Sequence, residues 1–347
     1  MEEKKETQID FVIAWVDGGD PAWQRERDRY GKMGEKTAVE ETGEREKSGV
    51  ACDTRDVRYR DWDCLRFWFR SVEQNAPWVH KIYFVTWGHV PKWLNGNHPK
   101  LEIVRHEDYI PGEFLPTFNS HTIELNFHRI PGLSEQFVYF NDDMYLMKHC
   151  KPTDFFRKGK PVDMASFSPV PPNFGGEIYF YHLYNDYSIY KNYFSRKTLF
   201  KHFFRYVNIR YGNILVKNML NIASKNLFLH EFHFAKPFKK STFEIVWNDY
   251  NDILTKTAKS RFRVYSNNSP ELFSGYQLIT GNFYPKRMNG IVLDSREVNK
   301  VKKTIESGKY RLLCLSDNTL DETFETDKQN INASFDKIFP MKSCFEL

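Results

Sequence analysis

Three short apolar segments, each ending in polar or acidic residues, constrain the fold of this 347-residue chain most strongly. They are residues 9–16, followed by Asp17 and Asp20; residues 137–140, followed by Asn141, Asp142 and Asp143; and residues 311–315, followed by Asp317 and Asn318. Two further runs rich in β-branched and aromatic residues, at 81–86 and 101–104, alternate with helical patterns such as the one at 61–77. Alternation of strand and helix predicts an α/β fold whose central sheet is covered on both faces.

The ends of these segments are candidate ligand sites. In an open α/β sheet, ligands bind outside the carboxyl ends of the strands. Asp142 and Asp143 would place hard oxygen donors there, and such donors select Mg²⁺ or Mn²⁺, which in turn bridge phosphate oxygens. Two acids after one strand could simply form a turn. Acids after three strands favour a site for a cation and a diphosphate.

Residues 117–130 have a helical pattern with one polar face. At 100° per residue, His121, Glu124 and His128 fall within about 60° of one another, and apolar residues lie opposite. Such a face is either an ordinary solvent-exposed face or a carboxylate between two imidazoles that points into a site.

Several function classes lack their sequence signals. The chain has no P-loop, no G-x-G-x-x-G and no G-x-S-x-G, and the H-E-x-H at 230–233 lacks the spacing of a zinc protease. Its five cysteines are odd in number and contain no C-x-x-C, so reduced thiols are expected. No apolar run approaches the roughly 20 residues of a membrane span, and the charged start is not a secretory signal, which predicts a cytoplasmic protein.

The net charge of +5 is unevenly distributed. Residues 195–240 contain ten Lys and Arg, with aromatic residues between them, against one acid, Glu231, so that this segment carries +9 and the rest of the chain −4. This composition suits an anionic membrane surface or a polyanion, although it could also be a solvated basic face. Because the remainder is acidic and no recognition module is present, nucleic acid is not expected as a partner.

These patterns predict one catalytic domain over 1–347. Within it, we expect a mobile loop or insertion at 32–50, a helical, basic, acceptor- or membrane-facing subregion at 150–240, and a peripheral tail at 320–347.

Five sequence blocks carry a family resemblance. They begin at Ile9 (IDFVIAWVDGGDP), Arg58 (RYRDWDCLRFWFRSVEQNAPWVHKIYFVTWG), Leu115 (LPTFNSHTIELNFHRIPGLSEQFVYFNDDMYL), His233 (HFAKPFKKSTFEIVW, then SRFR) and Leu313 (LCLSDN). Together they resemble the four conserved regions of the Stealth family, which comprises sugar-1-phosphate transferases of bacterial capsules and surface polysaccharides. The family is similar to the catalytic part of the animal lysosomal-enzyme N-acetylglucosamine-1-phosphotransferase.

The resemblance implies a Rossmann-like, glycosyltransferase-type fold and a defined reaction. A hydroxyl of a growing polysaccharide or lipid-linked glycan attacks the β-phosphate of a nucleotide sugar, sugar 1-phosphate is transferred, and a nucleoside monophosphate leaves. By motif position, the implied catalytic residues are Glu124, Asp143, His233 and Arg263. The register of the following 237–240 segment selects His233 over His230.

Roles for these residues follow from their chemistry together with the resemblance. We expect Asp143, Asp317 and Asn318 to hold Mg²⁺ or Mn²⁺ and Arg263 to bind phosphate, while either His233 or Glu124 serves as the base. The remaining candidates are expected to bind substrate: Asp10, Trp15, Asp17, Arg58, Asp61, Asn119, His121, Asp142 and Arg261. For Asp10, Trp15, Asp17, Arg58 and Asp61, support of the sheet is the alternative.

Two other activities fit the same residues. A metal-dependent glycosyltransferase would use the same acids but release a nucleoside diphosphate, and a non-enzyme could bind polyanions through 195–240. For the phosphotransferase, peripheral attachment to the inner face of the cell membrane is expected.

Overall fold

A computed structural model describes residues 8–42, 59–169, 178–224 and 227–347, with the side chains of 32–42 left aside. Arg58 and residues 43–50 of the expected insertion lie outside the described residues.

The described chain folds into helices, strands and short 3₁₀ turns. The helices are α1 Pro21–Thr42, α2 Leu65–Asn75, α3 His106–Tyr109, α4 Ser120–Leu125, α5 Pro152–Phe155, α6 Ile178–Tyr190, α7 Arg196–Lys201, α8 Phe203–Tyr206, α9 Asn213–Asn221, α10 Lys240–Asp249, α11 Asn251–Lys259, α12 Glu271–Ile279, α13 Val298–Ser307 and α14 Phe324–Ile338. The strands are β1 Ile9–Ala14, β2 Ile82–Thr86, β3 Leu101–Arg105, β4 Gln136–Asn141, β5 Met144–Leu146, β6 Phe156–Arg157, β7 Lys160–Asp163, β8 Phe167–Ser168, β9 Phe228–Leu229, β10 Lys236–Lys239, β11 Tyr284–Pro285, β12 Gly290–Asp294 and β13 Leu312–Ser316.

The central sheet has the strand order β10-β4-β1-β2-β3. Strands β1 to β4 are parallel, and β10 closes the edge antiparallel to β4. The chain adds β2 and β3 on one side of β1 and then returns to place β4 on the other side. This is the strand order of one half of a Rossmann fold, with its switch point between β1 and β4, which confirms the expected α/β, Rossmann-like class.

Burial on both faces explains why the strands were visible in the sequence. Phe11 and Ile13 of β1 pack into the core on one face of the sheet, and Val12 packs into the core on the other. Because successive side chains of a strand point to opposite faces, a strand covered on both sides must be apolar throughout.

A second sheet has the order β12-β13-β5. Strand β5 begins one residue after Asp143, and Cys314 of β13 pairs with Met144 of β5. This antiparallel pairing carries the end of β13 to the end of β4. The acids that follow the two strands therefore meet, although the strands belong to different sheets.

The periphery differs in two places from the loop and the peripheral tail that the sequence suggested, whereas an insertion at 32–50 stays a prediction. Residues 32–42 continue helix α1 rather than forming a loop, because Glu, Lys, Met and Ala favour a helix even without an apolar stripe. The segment 320–347 is integral to the fold: Ile331 and Phe335 of α14 are fully buried, and the Phe335 ring stacks on Phe67 of α2 with centroids 5.3 Å apart.

The expected helical subregion is only partly helical. Helices α6 to α9 occupy most of its described middle part, whereas strands β9 and β10 end it. Among the described residues, no helix has both the length and the apolar character that crossing a membrane requires.

Candidate active site

A cavity of about 660 Å³ lies at the carboxyl ends of β1, β4 and β13. Its lining includes most of the predicted strand-end residues together with two of the residues expected for catalysis from more distant segments: Trp15, Asp61, Asn141, Asp142, Asp143, His233, Arg263, Asp317 and Asn318. The site therefore forms at the switch point of the sheet, where an open α/β fold binds its ligand.

Asp143, His233 and Cys314 form the chemical centre of the cavity. Each offers one ligand atom, and the three atoms lie within 4.8 Å of one another. The Oδ1 of Asp143 and the Nδ1 of His233 are buried and have no hydrogen-bond partner among the described residues. Buried polar atoms are normally paired, so these two are free to take a ligand.

The thiol of Cys314 is a weaker metal ligand than Asp143 or His233. It lies 3.5 Å from the Oδ2 of Asp143. Burial, followed by the charge of Asp143, raises the pKa of Cys314 well above its ordinary value. A neutral thiol is a poor metal ligand, because the thiolate is the binding form. Asp143 and His233 are therefore the residues that could hold a cation.

Asp317 does not fit the metal site predicted from the sequence. Its Oδ2 accepts from Arg60 Nε at 3.1 Å and from Trp62 Nε1 at 3.0 Å. Its Oδ1 accepts from an Arg60 guanidinium nitrogen at 2.7 Å and from the amide of Thr319 at 3.1 Å. A carboxylate offers about four lone-pair sites. All are occupied here, so Asp317 is a charge partner of Arg60.

Asn318 is likewise turned away from Asp143. Its side-chain amide donates to Asp294 Oδ2 at 3.2 Å and to Ser316 Oγ at 3.3 Å. Of the three predicted ligands, Asp143 is the one with a buried oxygen that has no hydrogen-bond partner among the described residues.

Glu124 lies behind the cavity wall, on helix α4. Tyr139 donates to its Oε1 at 2.8 Å, and His121 Nδ1 lies 3.3 Å from its Oε2. Burial raises the pKa of Glu124, while the charge of Arg263 and the hydrogen bonds from Tyr139 and Ser120 oppose the rise. Ser120 also contacts the guanidinium of Arg263. Glu124 is thus placed to fix Arg263 electrostatically.

The polar face predicted for 117–130 is buried, but its three members do not act together. Helix α4 ends at Leu125 and a 3₁₀ turn follows at Phe127–Arg129. This change of pitch directs His128 against the rings of Phe243 and Trp247, away from Glu124.

Asn119 and His121 position other groups and do not contact the cavity. Asn119 is fully buried; its amide donates to the Ser260 carbonyl at 3.0 Å and to Asn267 Oδ1 at 2.9 Å. These bonds hold the loop that carries Arg263. His121 bridges Glu124 to His182, at 2.9 Å from the His182 ring. Both side chains are bound to other protein groups and do not reach the cavity, where we had expected them to contact substrate.

Arg261 and Asp10 also lie outside the cavity. Arg261 donates to the Pro116 carbonyl at 2.5 Å and covers the Tyr30 ring at 4.6 Å. The chain bends at residues 261 and 262, which separates the direction of Arg261 from that of Arg263. Asp10 lies at the amino end of β1, fully buried, and binds His80 at 2.7 Å and the amide of Ser134 at 2.7 Å. These bonds fit support of the sheet, which was the alternative role for Asp10.

The acids at the end of β1 and before α2 have separate roles. Asp17 accepts from the Gly19 amide at 2.9 Å, which is turn chemistry, and its own amide donates to His89 at 2.8 Å. Asp61 lines the cavity, where burial and the nearby charges of Asp63 and Asp17 raise its pKa.

Asp142 lies at the mouth of the cavity. Although its side chain reaches solvent, the surrounding protein desolvates the carboxylate, and the charges of Asp143 and Asp61 add to this effect, which raises the pKa of Asp142 to about 8. A cation or a cationic group would relieve this repulsion.

Sequence reasoning missed the functional positions of Arg60, Trp62 and Cys314. Arg60 lies in the sequence block that begins at Arg58, but its partner Asp317 lies 257 residues away. Cys314 could have been noticed as the polarisable residue within the apolar run that ends at Asp317.

The fold and the site define an α/β protein whose sheet edge carries an acid, an imidazole and an arginine around one cavity. Comparison with known proteins then places the chain. Residues 7–35 match the family model of Stealth protein conserved region 1, and residues 58–163 match conserved region 2. This chain belongs to the Stealth family.

Its relatives match over nearly their full length. The chain is 38% identical to a capsular polysaccharide phosphotransferase WcwK of Streptococcus pneumoniae, covering 97% of this chain and 98% of the relative. It is 36% identical to the receptor polysaccharide phosphotransferase WefC of Streptococcus oralis, with 98% and 99% covered, and 35% identical to the exopolysaccharide phosphotransferase cps2G of Lactiplantibacillus plantarum, with 97% and 96% covered.

Among solved structures, the galactosyltransferase LgtC aligns with a TM-score of 0.39 and 10% identity, over 93% of this chain and 95% of that one. A likeness at this level supports no statement about activity.

Proposed function

We propose that this enzyme transfers a sugar 1-phosphate from a nucleotide sugar to a hydroxyl of a glycan acceptor during synthesis of a capsule or surface polysaccharide. The main support is the cavity itself: Asp143, His233 and Arg263 converge at the switch point of the sheet. Full-length relatives named as polysaccharide phosphotransferases support the same reaction class.

The reaction forms one bond and breaks another at the β-phosphorus. The acceptor oxygen bonds to that phosphorus, the bond from phosphorus to the bridging oxygen breaks, and nucleoside monophosphate leaves with the bridging oxygen. Arg263, fixed through Ser120 and beside Glu124, would neutralise charge that develops on the phosphoryl oxygens.

His233 is the better candidate for the base that accepts the proton of the acceptor hydroxyl. Its Nδ1 faces the cavity without a described partner, whereas Glu124 is enclosed by Tyr139, His121 and Ser120. A neutral imidazole with an open nitrogen can take a proton near neutral pH. Glu124 then serves to orient Arg263.

A divalent cation, Mg²⁺ or Mn²⁺, fits the cavity at Asp143. The unpartnered Oδ1 of Asp143 supplies a hard oxygen ligand, and His233 lies close enough to be a second ligand in place of its role as base. When bound, such an ion would neutralise diphosphate charge.

We further propose that the enzyme acts in the cytoplasm and attaches peripherally to the inner face of the membrane, where it would meet a growing polysaccharide or a lipid-linked glycan. The basic composition of 195–240 supports this proposal.

The released nucleotide tests the reaction directly. The full chain is incubated with a panel of nucleotide sugars and glycan acceptors, and the products are analysed by ³¹P spectroscopy. We expect a new phosphodiester resonance together with nucleoside monophosphate, and neither with Asp143→Asn. Release of nucleoside diphosphate without a diester would instead identify a glycosyltransferase.

A further inference from the structure

Helices α7 to α9 and the turn between α8 and α9 expose six large apolar side chains, which together we call the apolar surface. Each is more than half exposed: Phe200 72%, Phe204 81%, Ile209 86%, Val216 57%, Met219 57% and Leu220 77%. Isolated apolar residues are common on protein surfaces, but a concentration of six within 21 residues marks an interaction site.

Helix α9 differs from an ordinary surface helix because one of its apolar faces is exposed. Val216, Met219 and Leu220 lie at positions i, i+3 and i+4, so they share one face, and that face is exposed. The residue that α9 buries completely is Asn218, whose amide donates to the Ala165 carbonyl at 2.8 Å and to the Tyr206 carbonyl at 2.7 Å. The helix is thus held to the protein by Asn218 and the partly buried Ile214, and it presents its other apolar face outward.

Buried tyrosines fix the neighbouring segments in the same orientation. The Tyr206 hydroxyl lies 3.0 Å from both the Leu278 and the Ile279 carbonyl oxygens, and the Tyr211 hydroxyl donates to the Arg205 carbonyl at 2.8 Å. Both tyrosines are fully buried, as Leu199 nearly is. Because these anchors face the core, the apolar surface faces away from it.

The same segment is strongly basic. Between residues 195 and 224 there are six cations and no acid: Arg196, Lys197, Lys201, Arg205, Arg210 and Lys217. A nucleic acid could stack its bases on the exposed Phe side chains, but neither it nor a polyanionic glycan would gain from the exposed Ile, Val, Met and Leu side chains. Apolar side chains among cations match an anionic bilayer, whose acyl region takes the former and whose headgroup phosphates take the latter.

We propose that the apolar surface inserts into an anionic lipid bilayer and that the four exposed cations of the segment, Arg196, Lys197, Lys201 and Arg210, bind its headgroups. Helix α6 connects this surface to the cavity, since its first residues, Tyr179 and Phe180, line the cavity and its end leads into α7. A helix of this length spans about 20 Å. The docked enzyme would thus hold its cavity above the bilayer, within reach of a lipid-linked glycan. This last step rests on the proposed function; the docking itself does not.

Vesicle flotation of the full chain tests the apolar part. We expect binding at low salt to vesicles of phosphatidylglycerol and phosphatidylcholine in equal parts, and much weaker binding to phosphatidylcholine alone. Phe204→Ser combined with Leu220→Ser should lower the bound-to-free ratio by at least about tenfold, since each side chain loses its transfer into the bilayer. Leu320→Ser combined with Met341→Ser, at positions that are equally apolar and 62% and 79% exposed, should leave the ratio unchanged.

A second pair of variants tests the charged part. Lys197→Gln combined with Lys201→Gln should weaken binding and flatten its dependence on salt. Lys303→Gln combined with Lys309→Gln changes the net charge equally, on an exposed part of the chain outside the segment, and should have little effect. Thermal unfolding would verify that all variants fold.

The outcomes separate docking from catalysis. Asp143→Asn should bind vesicles like the native chain, so failure of the phosphotransferase reaction with vesicle binding intact would contradict the proposed function alone. Equal vesicle binding by native chain and the Phe204/Leu220 variant would overturn the docking proposal. The docking proposal would also be overturned if the native chain were a dimer, this variant were a monomer and neither form bound vesicles, because the surface would then be a subunit interface.

Discussion

At the scale of single residues, Asp317 is a structural anion. Its four hydrogen bonds come from Arg60, Trp62 and the Thr319 amide, and its side chain is 20% exposed beside an Arg60 that is 12% exposed. We predict that Asp317→Ala lowers the free energy of unfolding by about 2 kcal/mol, because it leaves a partly buried guanidinium with fewer acceptors. Denaturant unfolding would measure this. Asp321→Ala, which removes an exposed partner of the same Arg60, should cost far less.

Asp186 and Glu271 both lie within hydrogen-bond distance of the Ser269 hydroxyl, and one of the two carboxyl groups must be protonated. The single hydroxyl hydrogen of Ser269 cannot donate to both Asp186 Oδ2 at 2.5 Å and Glu271 Oε2 at 2.6 Å, so one carboxyl group has to be the donor. Burial raises the pKa of Asp186 well above its ordinary value, against the hydrogen bonds from Ser269 and Asn268, which identifies Asp186 as the protonated member.

The linkage of this proton to stability gives a second prediction. Above about pH 4 the unfolded chain releases the Asp186 proton while the folded chain keeps it, so this group makes the protein less stable as the pH rises. Asp186→Asn imitates the protonated form. As the pH rises from roughly 5 to 8, we therefore expect the free energy of unfolding to fall less for Asp186→Asn than for the native chain. Thermal unfolding across that range measures it, and parallel curves for the two proteins would contradict it.

Glu124 and His233 make separable contributions if the proposed roles hold. We predict that Glu124→Gln lowers kcat by about a hundredfold or more, because Arg263 loses its opposing charge. His233→Ala removes the base itself, so its turnover should recover in part when imidazole is added, whereas that of Glu124→Gln should not. Turnover assays with and without imidazole decide this, and an absence of recovery in His233→Ala would contradict the role of His233 as the base.

At the scale of elements, the C-terminal segment is anchored by one ion pair. Arg70 of α2 binds both carboxylate oxygens of Glu346, at 2.8 and 2.9 Å, and the Glu346 side chain is 4% exposed. Burial alone would raise the pKa of Glu346, but the hydrogen bonds from Arg70 and Ser343 outweigh it and lower the pKa. The stability from this pair is present above the ordinary pKa of Glu and is lost as the pH falls through the lowered value.

Glu346→Gln should therefore destabilise the protein by about 2–3 kcal/mol at neutral pH, with a difference that shrinks in acid. Unfolding followed by fluorescence at several pH values would show this. Glu322→Gln is the matched control, because Glu322 is exposed and lies in the same segment. A constant difference at every pH would contradict the ion-pair account.

The elements that the sequence predicted are those with a local signal. Strands β1 and β4 are buried on both faces and therefore read as continuous apolar runs, and α2 has its apolar residues one turn apart. Helix α14 escaped prediction because Phe324, Ile331 and Phe335 are separated by polar residues, and its burial depends on contact with Phe67, far away in the chain.

The same limit applies to the site. Acids at strand ends were predictable because topology alone brings the ends of parallel strands together. The neutralisation of Asp317 by Arg60, and the turning of Asn119 toward the loop at 260–267, depend on side-chain partners at separations that leave no local pattern.

At the scale of the whole molecule, the cavity joins segments that are distant in sequence, so a ligand bound there should stabilise the entire fold. A cation at a concentration of 100 times its Kd would add about 2.7 kcal/mol, which corresponds to a rise in Tm of about 4 °C for a chain of this size. We predict that MnCl₂ raises Tm in this way and that chelation reverses the effect.

The variants then locate the ion. Asp143→Asn should abolish the MnCl₂ shift, since it removes the free oxygen in the cavity. Asp317→Asn should lower the starting Tm but keep the shift, because the oxygens of Asp317 are already occupied by Arg60, Trp62 and the Thr319 amide. Differential scanning calorimetry measures both quantities at once. If the shift survived in Asp143→Asn and vanished in Asp317→Asn, the cation would lie at the end of β13, and Arg60 would have to move aside when it binds.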